Sequence, residues 1–112
     1  MFFNKMYLLG DNLYDCLNKV MVKKPLSIKE NANFLWVKGS DCYYLFDNNG
    51  NRVAKSLKEI EVYPNGWFSY FDDNDVKKLL NNKFETQIEN FENVVFYANG
   101  WYVVKFAGEI AP

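Results

Sequence analysis

Apolar and polar residues alternate along most of this chain in short runs separated by polar turns. One pattern occurs twice: an apolar run, an Asn-Gly pair, and a tryptophan that opens a second aromatic run. The two copies, residues 60–68 and 94–102, keep a constant offset (99 − 65 = 34). Asn-Gly between apolar runs is a strong hairpin signal, because a tight turn needs residues that adopt positive φ. The pattern predicts two antiparallel hairpins with Asn65-Gly66 and Asn99-Gly100 at their tips.

A two-residue turn at Asn99-Gly100 would fix the pairing of the second hairpin. It places Tyr97 opposite Tyr102 and Phe96 opposite Val103, which leaves both faces of the hairpin apolar. Such a hairpin is either sandwiched inside the domain or carries an exposed apolar face. The sandwiched arrangement is the commoner of the two.

The remaining pattern predicts further strands and two ambiguous segments. Residues 11–22 have apolar residues at helical spacing behind Asp11 as a cap, which favours a short helix; the rival interpretation is a turn at residues 10–12 between strands. Residues 72–75 form either a turn or the cap of one helical turn. The predicted strands outside the second hairpin cover residues 1–9, 26–30, 34–38, 42–46, 52–54, 57–63, 67–71 and 83–89.

The predicted fold class is mainly β, a single domain over residues 1–112. We expect an antiparallel meander of about seven strands in repeated hairpins, forming a sandwich or partial barrel, with at most a short N-terminal helix. The composition agrees, since 49% of the residues are hydrophobic and 19% are aromatic. Aromatic residues suit a half-buried sheet surface, and Asn and Gly suit turns.

Charge and residue usage narrow the classes of function. The net charge is −1 and Arg52 is the only arginine, which disfavours a nucleic-acid partner. The absence of histidine removes Ser-His-Asp and Cys-His catalysis and histidine metal sites. Cys16 and Cys42 are too few for a disulfide scaffold, so free thiols are expected. Residues 1–6 lack a signal-peptide pattern and no apolar run could span a membrane, so a cytoplasmic location is expected.

Three segments resemble the bacterial WG (KWG) repeat family. Residues 44–53 are similar to its aromatic, hydrophobic, Asp, x, Asn, Gly, x, x, Val segment, residues 83–91 to the stretch that follows, and residues 99–105 to its closing strand. The resemblance covers about residues 34–106 as two degenerate units, although Gly here precedes Trp and the prolines usual after the Gly turn are missing. It implies a β-rich, non-catalytic protein linked to binding, with no active site to transfer.

Candidate chemistry is sparse. Asp72, Asp73 and Asp75 could supply paired carboxylates for a glycosidase, but clustered aspartates of this kind usually form a solvated turn or cap. Residues 47–51 lack the further carboxylates of a calcium loop. No metal or cofactor is therefore expected. Tryptophans at repeated positions, such as Trp67 and Trp101, are more often core residues than binding platforms, and the same holds for Trp36.

The expected function is a non-enzymatic intracellular module that binds a protein partner through aromatic side chains. A small inhibitor of a larger protein, such as a phage anti-defence or immunity-type protein, would fit the size and the missing catalytic groups. The alternative is a small carbohydrate-binding protein or carboxylate-based hydrolase. The candidate binding residues are Tyr44, Phe68, Tyr70, Tyr97 and Tyr102.

Overall fold

The computed structural model describes residues 6–31 and 34–106, and within them every regular element is a β-strand. Thirteen antiparallel strands form four small sheets, each made of strands that follow one another in the chain. The prediction of a mainly β, antiparallel hairpin meander is confirmed. The strands are more numerous than expected, and they form four sheets rather than a single sandwich or barrel.

Each sheet is a short up-and-down hairpin unit. Sheet 1 contains β1 (Met6–Leu9), β2 (Asn12–Asp15) and β3 (Val20–Lys23). Sheet 2 contains β4 (Ser27–Asn31), β5 (Phe34–Lys38), β6 (Tyr43–Asp47) and β7 (Arg52–Ser56). Sheet 3 contains β8 (Glu61–Val62), β9 (Phe68–Phe71), β10 (Lys77–Leu80) and β11 (Thr86–Glu89). Sheet 4 contains β12 (Phe91–Phe96) and β13 (Tyr102–Phe106).

The sheets are stacked in chain order, because each neighbouring pair shares one apolar cluster. Between sheets 1 and 2, Leu13 packs with Leu35. Between sheets 2 and 3, Trp36 packs with Phe68, and between sheets 3 and 4, Leu79 packs with Val94. Strand β5 buries alternate side chains in the first two clusters, so both faces of sheet 2 are covered. This is the nearest-neighbour organisation of a repeat protein.

One five-residue turn recurs six times within the described residues. In each, the first residue's N–H donates to the fifth residue's carbonyl, and the fourth residue's N–H donates to the first residue's carbonyl. The fourth residue always has positive φ, the signature of a type I turn followed by a left-handed bulge residue. The six turns cover residues 15–19, 47–51, 63–67, 72–76, 81–85 and 97–101.

The structure decides two segments that the sequence left ambiguous, and each contains this turn. The favoured helix at residues 11–22 is wrong, and the rival interpretation, a turn at residues 10–12 between strands, is confirmed. Asp15 closes the β2–β3 hairpin that follows, because its side chain accepts hydrogen bonds from the N–H groups of Leu17 and Lys19. Asp72 likewise closes the β9–β10 turn by accepting from Asn74 and Val76 rather than capping a helix. Short polar side chains that bond nearby backbone compete in this way with helix formation.

The Asn-Gly pairs lie in hairpin loops as predicted, but the second hairpin's register differs by one residue. The loop has three residues rather than two, because Tyr97 N–H donates to the Trp101 carbonyl across Ala98, Asn99 and Gly100. Phe96 therefore pairs with Tyr102 instead of Val103. The one-residue change decides which side chains share a face.

Candidate functional site

The two Asn-Gly hairpins meet through a cluster of four aromatic rings. Trp67 contacts Phe96 and Tyr102 edge-on, with ring centroids 5.4 Å apart in both pairs. Tyr63 lies 5.0 Å from Phe96, and Phe96 lies 5.6 Å from Tyr102. These contacts join the tip of the β8–β9 hairpin to the inner face of sheet 4, which also packs through Val94 and Val104. We call these rings the four-ring cluster.

An open groove of about 650 Å³ borders this cluster, and we call it the tip groove. One wall is the segment Val94–Ala98, and the other is formed by Tyr63, Pro64, Asn65 and Trp67. In the described part of the chain, no Asp, Glu, Lys or Arg lines it. An apolar concavity with aromatic walls and a few backbone polar groups is the usual form of a binding site.

Tyr63 lines the groove, and its pKa is raised. Its hydroxyl shares a hydrogen bond of 2.9 Å with the Ser69 hydroxyl, and burial raises the pKa of Tyr63 to about 12. Nearby Glu61 acts in the same direction, whereas the Ser69 hydrogen bond opposes it. Tyr63 therefore stays a neutral phenol across the physiological range.

The outer side of the second hairpin is an exposed apolar face. Side chains alternate along a strand, so Val95 and Tyr97 are on the face of the hairpin away from Phe96. Val103 and Trp101 on the paired strand share that outer face. Their exposed fractions are 46% for Val95, 55% for Tyr97, 58% for Val103 and 74% for Trp101. Of the two arrangements considered for this hairpin, the structure shows the one with an exposed apolar face. The favoured prediction of a fully sandwiched hairpin is wrong.

The five predicted binding residues do not form one site. Tyr97 and Tyr102 line the tip groove, Tyr97 exposed on its rim and Tyr102 half-buried against Trp67. Phe68 is fully buried between sheets 2 and 3, so its side chain cannot meet a partner in the folded chain. Tyr70 packs half-buried against that same cluster. Tyr44 packs against the cluster between sheets 1 and 2 and stacks on Phe46.

The three tryptophans differ in burial, although all three were expected to be core residues. Trp36 is buried and donates its indole N–H to the Ile60 carbonyl at 2.8 Å. Trp67 is half-buried in the four-ring cluster. Trp101 occupies the matching turn position but is exposed, because no described strand packs beyond sheet 4. The prediction that tryptophans are core residues holds for Trp36 and is wrong for Trp101.

Asp72 and Asp75, two of the three clustered aspartates, already have hydrogen-bond or ion-pair partners within the protein. Asp72 accepts hydrogen bonds from two backbone N–H groups and pairs with Lys78 at 3.2 Å. The hydrogen bond from Val76, followed by contributions from Lys78 and Asn74, lowers the pKa of Asp72 despite some opposing desolvation. A glycosidase acid needs a raised pKa, so Asp72 is not suited to that role. Asp75 pairs with Lys58 at 3.0 Å on the surface.

The described residues lack two further kinds of site, a metal centre and a membrane-spanning helix. Across residues 6–31 and 34–106, His, Cys, Asp and Glu side chains form no group of three that could hold a metal ion. The same residues contain no helix long and apolar enough to cross a membrane. Both cysteines are free thiols, Cys16 exposed and Cys42 buried.

Comparison with known proteins yields no relative. The chain matches no model of a known protein family, no curated protein and no solved structure. The resemblance to WG repeats therefore stays a prediction.

Proposed function

We propose that this chain is a non-catalytic, cytoplasmic protein-binding module whose tip groove accepts apolar side chains of a partner protein. The observation that carries the proposal is the uncharged aromatic groove with exposed Tyr97 on its rim. Tyrosine and tryptophan are enriched at protein interfaces, and hot-spot residues concentrate in pockets that exclude water. A role as an inhibitor of a larger protein is consistent with this mode of binding.

The groove also supports a prediction about salt. The described residues that line the groove carry no charge, and the whole chain has a net charge of −1. Long-range electrostatic attraction then contributes little to the encounter, while apolar contact is hardly screened by salt. Binding should therefore persist at moderate ionic strength.

The test is affinity capture from a lysate of the source cell, followed by titration of the captured protein. Tyr97→Ala should weaken binding by about 2 kcal/mol, or roughly 30-fold in Kd. Ala98→Arg should weaken it as well, because a long charged side chain would enter the groove from an exposed loop position. Leu17→Ala is the matched control, since Leu17 is exposed on a distant turn of sheet 1.

A second pair of variants separates this proposal from an electrostatic one. Reversing both charges at Lys23 and Lys24, which are exposed, should leave binding unchanged. Lys77 and Lys78 are less suitable positions, because each forms a salt bridge within sheet 3. If the lysine reversal abolished binding while Tyr97→Ala and Ala98→Arg did not, an acidic or nucleic-acid partner would replace the proposal.

The alternative of a carbohydrate-binding protein or carboxylate-based hydrolase gives the opposite result at other positions. Under that alternative, substituting Asn for Asp72, Asp73 and Asp75 together would abolish function. Under the present proposal, the triple variant still binds its partner, provided that it folds.

A further inference from the structure

Among the described residues, sheet 4 has one covered face, whereas sheet 2 has two. Within the stack, Tyr63 and Trp67 of one Asn-Gly hairpin are covered by Phe96 and Tyr102 of the next. The residues that match them in the second hairpin are Tyr97 and Trp101, by the constant offset of the repeat. These remain exposed, together with the valines beside them.

Three cross-strand pairs of residues follow one another along the outer face of the hairpin. Tyr97 and Trp101 lie at the tip, Val95 and Val103 pair in the middle, and Asn93 and Lys105 pair at the base. The tip and the base are each two residues from the middle pair, or about 7 Å along the strands. A second identical face, turned antiparallel about the valine pair, would place its base over this tip and its tip over this base.

That arrangement brings complementary groups together. Lys105 of one copy would lie against Tyr97 and Trp101 of the other, and the reverse contact would form as well. Lysine over an aromatic ring is a contact the chain already uses, with Lys29 5.0 Å from the Trp36 ring centre. Lys105 is available for it, because its only described ion pair is an exposed one with Glu92 at 3.5 Å.

The area of the face reaches the lower end of the range for specific contacts. Val95, Tyr97, Trp101 and Val103 together expose on the order of 500 Å². Complete coverage of these side chains in two such faces would bury about 1,000 Å² in total, which is the smallest area expected of a biological interface. A two-fold contact also closes on itself, and two-fold dimers are the commonest assemblies.

We infer that the outer face of sheet 4 binds a second copy of this chain in an isologous dimer, centred on Val95 and Val103. The self-complementary order of the residues on this face, together with its area, indicates that the partner is a second copy of the chain. The outer face and the tip groove share Val95 and Tyr97, whereas Val103, Trp101 and Lys105 lie outside the groove. Substitutions at those three positions therefore test the dimer separately from the proposed function.

The test is sedimentation of the purified chain over about 1–200 μM, a range chosen to span the affinities of small interfaces. We expect a monomer–dimer equilibrium. Val103→Lys should weaken the dimer at least tenfold, and Lys105→Glu should weaken it severalfold. Leu17→Lys is the control, because it adds a charge at an equally exposed but distant position and should leave the equilibrium unchanged. Thermal melts check that Val103→Lys still folds.

A cross-linking measurement does not rely on weakening the dimer. In a Cys16→Ser background, Val95→Cys should form a disulfide-linked dimer under mild oxidation, whereas Leu17→Cys in the same background should not. The inference is overturned if the parent chain is monomeric throughout the range, or if Leu17→Cys cross-links as readily as Val95→Cys. It is also overturned if the assembly grows beyond a dimer with concentration, since that indicates head-to-tail stacking.

Discussion

The buried hydrogen bond from the indole of Trp36 to the Ile60 carbonyl makes a specific contribution to stability that a substitution can remove. Trp36 lies on β5 between sheets 2 and 3, and its N–H donates to the carbonyl of Ile60, a residue only 1% exposed. The bond ties sheet 2 to the segment that leads into β8. Phenylalanine at this position would keep an aromatic ring in the cluster but would remove the donor. The Ile60 carbonyl would then be buried without this partner.

The expected cost of Trp36→Phe follows from two terms. Leaving a buried carbonyl unsatisfied costs about 1–3 kcal/mol. Replacing the indole with a smaller ring adds about 1 kcal/mol for lost packing. We therefore expect the free energy of unfolding to fall by about 2–4 kcal/mol. With a urea m-value of roughly 2 kcal/mol/M, the unfolding midpoint should fall by about 1–2 M.

The assay is urea unfolding followed by circular dichroism, with Trp101→Phe as the matched control. Trp101 is 74% exposed, so the same chemical change there should alter the free energy of unfolding by no more than about 0.5 kcal/mol. Measurements at two protein concentrations separate folding from self-association. If Trp36→Phe matched the parent, or if Trp101→Phe cost as much as Trp36→Phe, the assignment of Trp36 to the core and Trp101 to the surface would be wrong.

Three further predictions concern a turn, a carboxylate and the thiols. Gly100 has φ of +89°, so Gly100→Val should cost about 1–3 kcal/mol in chemical unfolding and Gly100→Asn much less; equal costs would contradict the turn assignment. Asp72 has a lowered pKa, so its contribution to stability is present above its unfolded pKa of about 4 and is lost as pH falls further. Thermal melts from pH 6 to pH 3 should show a smaller loss for Asp72→Asn than for the parent, with Asp73→Asn, which keeps the hydrogen bonds to Asp72, as the control in the same turn. Alkylation without reductant should label exposed Cys16 in the native chain and buried Cys42 only after denaturation, whereas unlabelled thiols in denaturant would indicate a disulfide.

The sequence predicted those elements whose signal is local. Strand β5 was predicted at its observed bounds, and both Asn-Gly pairs were placed in hairpin loops. The register of the second hairpin was not, because Asn-Gly fits a two-residue turn and also the last two positions of a three-residue loop. In this loop Asn99 accepts from Trp101 N–H and Gly100 takes the left-handed position.

The segment 11–22 shows a different limit. Leu13 and Leu17 lie at helical spacing, yet the structure buries Leu13 completely and leaves Leu17 82% exposed. Apolar spacing alone could not show that Leu17 lies on a turn. The informative residue was Asp15, followed three positions later by Asn18 with φ of +65°. The same spacing recurs at Asp47 and Gly50, so the repeated turn was present in the sequence as a signal.

The groove depended on contacts between sheets, which no local pattern specifies. Tyr63 was not a candidate from the sequence, although it lines the groove and contacts Phe96. Phe68 was a candidate, but sheet 2 covers it. Each residue's role follows from which sheet is stacked on it, and that depends on residues distant in the chain, such as Phe34 for Phe68 and Phe96 for Tyr63.

The matched positions Trp67 and Trp101 should contribute differently to the free energy of unfolding, because their neighbours differ. Both follow an Asn-Gly pair, and in both the backbone N–H is satisfied by the preceding asparagine. Trp67 is packed by Phe96 and Tyr102, whereas Trp101 has no such neighbours among the described residues. Trp67→Ala should therefore destabilise the fold by about 3 kcal/mol, and Trp101→Ala should leave the monomer nearly unchanged while weakening self-association. If Trp101→Ala instead unfolded the monomer, an unrecognised neighbour would have to cover the outer face of sheet 4.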